Sequence, residues 1–532
     1  MAVPSNKRVS ARATGIVGVA ILCSRLLGLV REVVIASLFG ASRNLDAFLT
    51  AFRAPNMLRD LFAEGALSTA FVTTFSKKIE LEGENAAWGL ANKIATLTIV
   101  FMSAIVLLGV LFAPSLVSVL APGFAREPGK MELTIQLTRV MFPFILLVSL
   151  AALLMGMLNA RNVFGMPAMA SSFFNLGSII GGVALGWWLD PHFGARALVG
   201  LALGTLIGGF LQMAVQIPSA LRFGYVFHLD FHWRDPGVRK VLQLMGPAVI
   251  AASAVQVNVL VNSIFASYLQ DGAVSWLNIA FRLMQLPLGI FGVAVATVTL
   301  PLISRSAAAG NTNEFRGALA HALRLVMLLT IPSAIGLIIL AEPIISLIYQ
   351  HGRFTAFSTI QTADALRFYA IGLVGYASVK VLAPAFYAID RRNLPMLVSL
   401  FSIAMNTCAN WLLTFHFGLG HRGLALSTSV VAITNFLLLY AMMRHYAGRL
   451  ETRALLGTFA KLLIAGACLG AVCWLGRYYF FPTGIAQRQW WRLVGVLVTV
   501  TSAGLTFFGV AYLLRVAELQ DLVSVFKRKL AR

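Results

Sequence analysis

Residues 14–38 read TGIVGVAILCSRLLGLVREVVIASL, and residues 46–64 read DAFLTAFRAPNMLRDLFAE. Each is long enough to cross a bilayer, which takes about 20 mostly apolar residues per helix. Yet the first holds Arg25, Arg31 and Glu32, and the second holds Asp46, Arg53, Arg59, Asp60 and Glu64. Arg282 sits in another apolar stretch more than 200 residues later. An arginine at the bilayer centre costs roughly 2.5–3.5 kcal/mol on insertion scales. Helices that keep several must turn them toward protein or a polar cavity, and a cationic cavity at membrane depth implies an anionic cargo.

The rest of the chain agrees with a membrane setting. Of 532 residues, 59% are hydrophobic and 12% charged, against about 25% charged in soluble domains. With no water in the bilayer core, each span must satisfy its own backbone as a helix. Ten-residue alternating strands are absent, which argues against a β-barrel. The expected fold is an all-α polytopic membrane protein of about fourteen transmembrane helices. They fall near 14–38, 46–74, 94–120, 134–158, 168–189, 196–217, 243–269, 275–303, 319–349, 363–388, 395–417, 423–444, 457–481 and 492–514. The connections are short and leave no room for a sizeable soluble domain.

Formal net charge is +22. In a soluble protein this would point to nucleic acid; here the distribution gives another answer, and no nucleic-acid partner is expected. About 25 of the 42 Lys and Arg lie on the side of the N-terminus, about 10 on the opposite side and seven inside spans. The positive-inside rule then places both termini in the cytoplasm. The tail Lys527-Arg528-Lys529 suits anionic lipid headgroups. The four cysteines lie in apolar helices without metal or disulfide spacing. No small-residue cleavage site follows the basic N-terminus, so an uncleaved first helix is expected.

The chain also repeats itself at an offset of 228–229 residues. Ala51-Phe52-Arg53 matches Ala280-Phe281-Arg282, Pro114 and Gly123 match Pro343 and Gly352, and Pro167 matches Pro395. Six helices per copy is an even number, so the copies share orientation, as in parallel-repeat transporters. The expected organisation is an N-terminal lobe at 1–222, a C-terminal lobe at 223–446, and helices 13–14 with a basic tail at 447–532. Two such lobes would enclose a V-shaped central cavity, with Arg53 and Arg282 facing it from opposite sides.

Asp46, Arg53, Asp60 and Glu64 are spaced by 7, 7 and 4, which puts them on one helical face; Arg25 and Glu32 share another. Two readings compete. Arg25–Glu32 and Arg53–Asp60 could be buried ion pairs that fix helix packing. Alternatively the surplus cations bind phosphate, which a planar guanidinium fork does with two parallel hydrogen bonds at permanent charge. Arg282 has no acidic residue within one turn on its helix. Lys380, before Pro384, is a weaker cavity candidate, equally suited to snorkelling. No P-loop, nucleophile elbow or zinc-ligand pattern appears, so no cofactor, metal or catalytic residue is expected. Glycine pairs at 177/181, 182/186, 204/208 and 466/470 suit close helix packing.

Several separated motifs together resemble the MurJ (MviN) family. They are Ser24-Arg25-Leu26-Leu27-Gly28 with Arg31-Glu32, Asp46-Ala47-Phe48, Pro55-Asn56-Met57-Leu58-Arg59, and Phe62-Ala63-Glu64-Gly65-Ala66. Later come Ala121-Pro122-Gly123-Phe124-Ala125, Gly352-Arg353-Phe354-Thr355 and Lys380-Val381-Leu382-Ala383-Pro384. The resemblance implies a bacterial inner-membrane flippase for lipid II, the polyprenyl-pyrophosphate precursor of peptidoglycan, with the fold of multidrug and oligosaccharide-lipid exporters. It implies that the last two helices form a groove for the lipid tail, and that Arg25, Arg31, Arg59 and Arg282 line the substrate cavity. Many relatives carry acids where this chain has Phe281 and Gln285, which leaves its cavity more positive. The expected partners are lipid II, anionic membrane lipids and other cell-wall synthesis proteins. Coupling to membrane potential or to an ion is a further expectation. Another polyprenyl-linked saccharide is an alternative cargo. A membrane glycosyltransferase would need acids in outer loops, where Asp190, Asp271, Glu342 and Asp364 are the candidates.

Overall fold

The computed structural model describes residues 11–481 and 489–530; the side chains of 11–16, 63–66, 251, 254 and 525–530 lie outside that description. Glu64 and Lys527-Arg528-Lys529 are therefore not placed. The described residues are helical almost throughout and divide into two compact units, Met1–Asp271 and Gly272–Arg532.

The first unit contains α1 (Ala11–Phe39), α2 (Arg43–Leu58), α3 (Ser68–Glu82), α4 (Glu84–Leu111), α5 (Ala113–Leu120) and α6 (Lys130–Met141). It continues with α7 (Phe144–Ala160), α8 (Gly165–Leu189), α9 (Ala197–Ala214), α10 (Ile217–Arg222) and α11 (Pro236–Ser267). The second contains α12 (Ala273–Pro287), α13 (Val293–Ala308), α14 (Thr312–Tyr349), α15 (Ala356–Ile371) and α16 (Leu373–Ala388). After these come α17 (Asn393–Trp411), α18 (His421–Ala447), α19 (Thr452–Phe480), α20 (Gln489–Leu513) and α21 (Ala517–Leu530).

Among the described residues, ten helices or joined helix pairs are long and apolar enough to cross a membrane, and up to twelve if each bent pair counts as one span. The other two of the fourteen expected spans fall on α1 and on the run from α2 to α3. Those are the stretches that carry Arg25, Arg31, Glu32, Asp46, Arg53, Arg59 and Asp60.

Element boundaries carry the repeat more clearly than residue identities do. The starts of α4 and α14, α7 and α16, and α8 and α17 are 228 or 229 residues apart. Both copies also interrupt their second helix with a π-helical stretch, at Arg59–Leu67 and at Leu288–Gly292. These begin 229 residues apart, and each begins six residues after the paired arginine, Arg53 or Arg282. A π turn bonds i to i+5 rather than i+4. The seven-residue register that aligns Asp46 with Arg53 therefore ends at Arg59, and the single charged face expected through Glu64 is not continuous.

The repeat boundary and the unit boundary differ. By offset, α11 corresponds to α1, the first helix of its copy. Yet α11 packs inside the first unit, on the π stretch, α3, α4 and α5, and the units part at Asp271–Gly272 rather than near residue 222. Val238 and Val241 of α11 share a core with Phe71, Phe75, Leu90 and Met157, which holds the helix there.

Small residues set the closest approach. Gly204 of α9 lies against the backbone of Gly182 of α8, and Gly200 against Gly186, so that a β-carbon on either would collide. Gly466 and Gly470 of α19 make room for Ile335 and Ile339 of α14. These glycines serve packing within their units, where van der Waals contact and lipid entropy drive helix association.

Candidate functional site

The charged residues of α1 divide between two surroundings. Asn175 of α8 donates to the Ser24 carbonyl (3.2 Å), and its side chain fills the space beside Gly28. The Arg31 guanidinium lies 5.0 Å from the Phe174 ring centre, a cation–π contact that holds it on α8. Glu32 is half-buried, and Arg25 is exposed.

On α2, Ser42 caps the helix by accepting from the Leu45 N–H (3.4 Å). Asp46, one turn in, is 1% exposed. It lies 3.7 Å from the Lys130 ammonium, itself 1% exposed, which bonds Asp271 at 2.5 Å and sits 4.2 Å over the Phe124 ring. Asp46 therefore belongs to a buried ion cluster that ties α2, α6 and the turn after α11 together. Lys130 is the residue that sequence reading missed, since it looks like an outer-loop lysine. Its partner Asp271 is 141 residues away, and no local spacing could have announced it.

Arg53 is half-buried. Arg59 opens the π stretch and donates from Nη2 and Nε to Asp60 Oδ1, at 2.9 and 3.2 Å. Gln256 of α11 reaches the other Asp60 oxygen at 3.5 Å. The expected Arg53–Asp60 pairing is thus replaced by a neighbour pair. With side chains 23% and 35% exposed, the Arg59–Asp60 pair is half-buried rather than sealed from its surroundings.

In the second unit, Arg282 on α12 is exposed and lies within electrostatic reach of the buried Tyr349. Phe281 packs edge-on to Tyr369, with ring centres 5.3 Å apart, so the residue that departs from the acidic family pattern is a packing residue. Gln285 and Lys380 are both exposed.

The four outer-loop acids are all engaged. Asp190 accepts from the His192 and Gly194 N–H groups, at 3.0 and 2.8 Å. Asp271 holds Lys130. Glu342 holds Arg477 (2.7 Å), and Asp364 holds Arg367 (2.7 Å) and Arg422 (2.5 Å). A general acid or base needs a proton-exchanging carboxyl within reach of substrate, and these carboxylates are committed to structural partners. Among the described residues no group of three His, Cys, Asp or Glu is arranged to hold a metal.

Polar groups also fix the 223–235 connection. Asn92 of α4 bonds the Val226 carbonyl (3.1 Å) and His228 Nδ1 (2.9 Å), and Lys93 bonds Asp235 (2.7 Å). Burial pushes the Asp235 carboxyl up, but Lys93 and the Gly237 N–H outweigh it and hold it below the usual range. The His232 N–H, working against partial burial, lowers Asp230 in the same way.

The family profile described as "Lipid II flippase MurJ" matches residues 35–495. A "Probable lipid II flippase MurJ" of Buchnera aphidicola subsp. Acyrthosiphon pisum (strain APS) is 36% identical over 79% of this chain and 80% of its own. The "Lipid II flippase MurJ" of Burkholderia cenocepacia (strain ATCC BAA-245 / DSM 16553 / LMG 16656 / NCTC 13227 / J2315 / CF5610) is 33% identical over 93% and 95%. A solved lipid II flippase MurJ, in an inward closed conformation, superposes with TM-score 0.75 at 26% identity, covering 97% of this chain and 99% of its own. An inward-facing multidrug resistance MATE transporter of the MOP superfamily gives 0.66 at 15% identity, over 81% and 96%, a likeness of fold. Fold and near full-length similarity agree: this chain belongs to the MurJ family of lipid II flippases.

Proposed function

We propose that this protein carries lipid II from the cytoplasmic to the outer leaflet of the bacterial inner membrane, with both termini in the cytoplasm. The observation that carries the reading is the family match across residues 35–495. The chemistry of the chain supports it. The cargo headgroup bears a pyrophosphate, and Arg25, Arg31, Arg53, Arg59 and Arg282 supply permanent cations that outnumber the acids Glu32, Asp46 and Asp60 on the same mostly apolar helices. A guanidinium can place two donors on one phosphate. Transport requires no covalent step. Alternating access moves the headgroup while the polyprenyl tail stays in lipid. A cationic carrier is biased by membrane potential at about 2.3 kcal/mol per charge per 100 mV.

The test is rescue of a strain depleted of its flippase, with lipid II labelled selectively in the outer leaflet. Wild-type protein restores growth and labelling. Arg59→Ala and Arg282→Ala, at normal abundance in the membrane, restore neither. Each lost charged hydrogen bond is worth about 1.5–3 kcal/mol, or roughly 10- to 150-fold in headgroup affinity. Full rescue by both variants sinks the phosphate role. Wild-type growth without any outer-leaflet lipid II sinks the flippase reading itself.

A further inference from the structure

Residues 225–232 form no helix, yet α4 holds their backbone in a fixed register. The Asn92 amide donates to the Val226 carbonyl (3.1 Å), the His228 N–H donates to the Asn92 side-chain oxygen (3.3 Å), and the Asp230 N–H donates to the Thr96 hydroxyl (3.0 Å). Asn92 and Thr96 are both fully buried and lie one turn apart on α4. The main-chain groups they take belong to alternate residues, as along one edge of a β-strand, where successive residues turn their N–H and C=O groups to opposite sides. The other edge is open. Among the described residues no hydrogen bond reaches the main chain of Phe227 or Leu229, or the Phe231 N–H. The side chains at these same positions, Phe227, Leu229 and Phe231, recur every second residue and are 46%, 61% and 59% exposed. An open strand edge beside exposed apolar side chains is a template for another chain.

The charge around this edge is positive. Both carboxylates of the segment are taken, Asp230 by His232 and Asp235 by Lys93, each at 2.7 Å. Arg234 lines an open cleft together with Phe231 and Trp233; it is exposed and takes part in no ion pair among the described residues. Arg222, Arg239 and Lys240, which flank the segment in sequence, are likewise exposed and outside any ion pair among the described residues. Lys93 is the last charge of α4 before the uncharged run 94–111, so the segment lies beside the polar start of that span. A lipid surface could cover its apolar side chains but offers no ordered partner to three open main-chain positions, and in hydrocarbon each would cost several kcal/mol. A second copy of the chain would bring the same cations together.

We propose that residues 226–231 are a docking edge for an acidic, extended peptide segment of a partner protein, which adds to them as a β-strand. In this mode main-chain hydrogen bonds supply affinity and alternate side chains supply specificity. The partner's apolar side chains would pair with Phe227, Leu229 and Phe231, and its acids would meet Arg234. Because α4 already fixes the register, little ordering is left to be done on binding. With the orientation proposed above the partner is cytoplasmic; nothing else in the inference rests on lipid II transport.

The probe is a short fluorescent peptide of alternating valine and glutamate, titrated by anisotropy onto the purified full-length protein in detergent and in phosphatidylcholine nanodiscs. Wild-type protein binds it in both. The N-methylated peptide keeps every side chain but loses its main-chain donors, and binds at least about tenfold more weakly. A peptide with lysine in place of glutamate does not bind, and Arg234→Glu weakens binding of the acidic one. Leu229→Pro removes an outward N–H and leaves the α4 bonds at Val226, His228 and Asp230 in place; it keeps the melting temperature and loses at least about tenfold in binding. Should that variant fold poorly, the two peptides on wild-type protein decide alone. No binding, or equal binding of the plain and N-methylated peptides, overturns the proposal. Binding in detergent that vanishes in nanodiscs also overturns it and gives the surface to the bilayer. Self-association of wild-type protein that Leu229→Pro abolishes, with no peptide binding, gives the edge to a second copy and overturns it too.

Discussion

Lys130 and Arg59 are both cations near acids, yet they should answer mutation differently. Lys130 is buried between Asp46 and Asp271, so Lys130→Met strands a carboxylate that is 1% exposed. Breaking a buried pair from one side costs about 3–5 kcal/mol. A marked fall in melting temperature in detergent is expected, and an unchanged one would mean that water enters the cluster. Arg59 is only half-buried beside Asp60. Arg59→Ala should leave the melting temperature within a few degrees while abolishing rescue. The contrast also marks the limits of sequence reading. Arg25, Arg31, Arg53, Arg59 and Arg282 stand out in the sequence because charge in an apolar run is costly wherever the run folds. Asp46 looks like their companion on spacing alone, but a lysine distant in sequence claims it. Pairing across a fold leaves no periodic trace.

Among the elements, the α8–α9 contact is the most exacting. Gly204→Val drives a side chain into the Gly182 backbone and should cost at least about 1–3 kcal/mol. Gly457 in α19 faces open space, so Gly457→Ala should be neutral or stabilising by up to about 1 kcal/mol. Paired melting curves check both, and equal effects would refute the packing argument. The 223–235 connection makes a claim about pH. The folded pKa values of Asp230 and Asp235 lie below their ordinary values, so the stability they contribute is complete above about pH 4 and lost as pH falls through the lowered values. Hydrogen exchange across 226–235 should stay slow between pH 7 and 5 and quicken only under stronger acid. Early loss near pH 6 would contradict the role given to these two carboxylates. The glycine spacings announced close packing in advance. The π stretches were not legible, because a π turn is a matter of backbone bonding, and RDLFAEGAL and LGIFG share only an apolar pair, Leu61-Phe62 and Ile290-Phe291, which any helix could carry.

For the whole molecule, the helical membrane class followed from composition, and the duplication followed from a constant offset of prolines, glycines and one arginine. The placement of α11 did not follow, because a repeat in sequence does not dictate which neighbours a helix packs on. Cutting the chain after residue 222 should therefore give an N-terminal fragment that exposes the Phe71–Phe75–Leu90 core. Cutting after Asp271 should keep that core covered. Protease resistance of the two membrane-inserted fragments compares them, and equal resistance would contradict the role of α11. The matched π stretches reach back further than any present-day contact. Such a turn accommodates one additional residue in the helix, and the two copies hold theirs at the same distance from the paired arginine, although most of the residues around it differ. A single insertion in a half-sized forebear, before its gene doubled, would leave this pattern. On that history Arg53 and Arg282 share one ancestral position, and the widened turn beside them is older than the division of labour between the two copies.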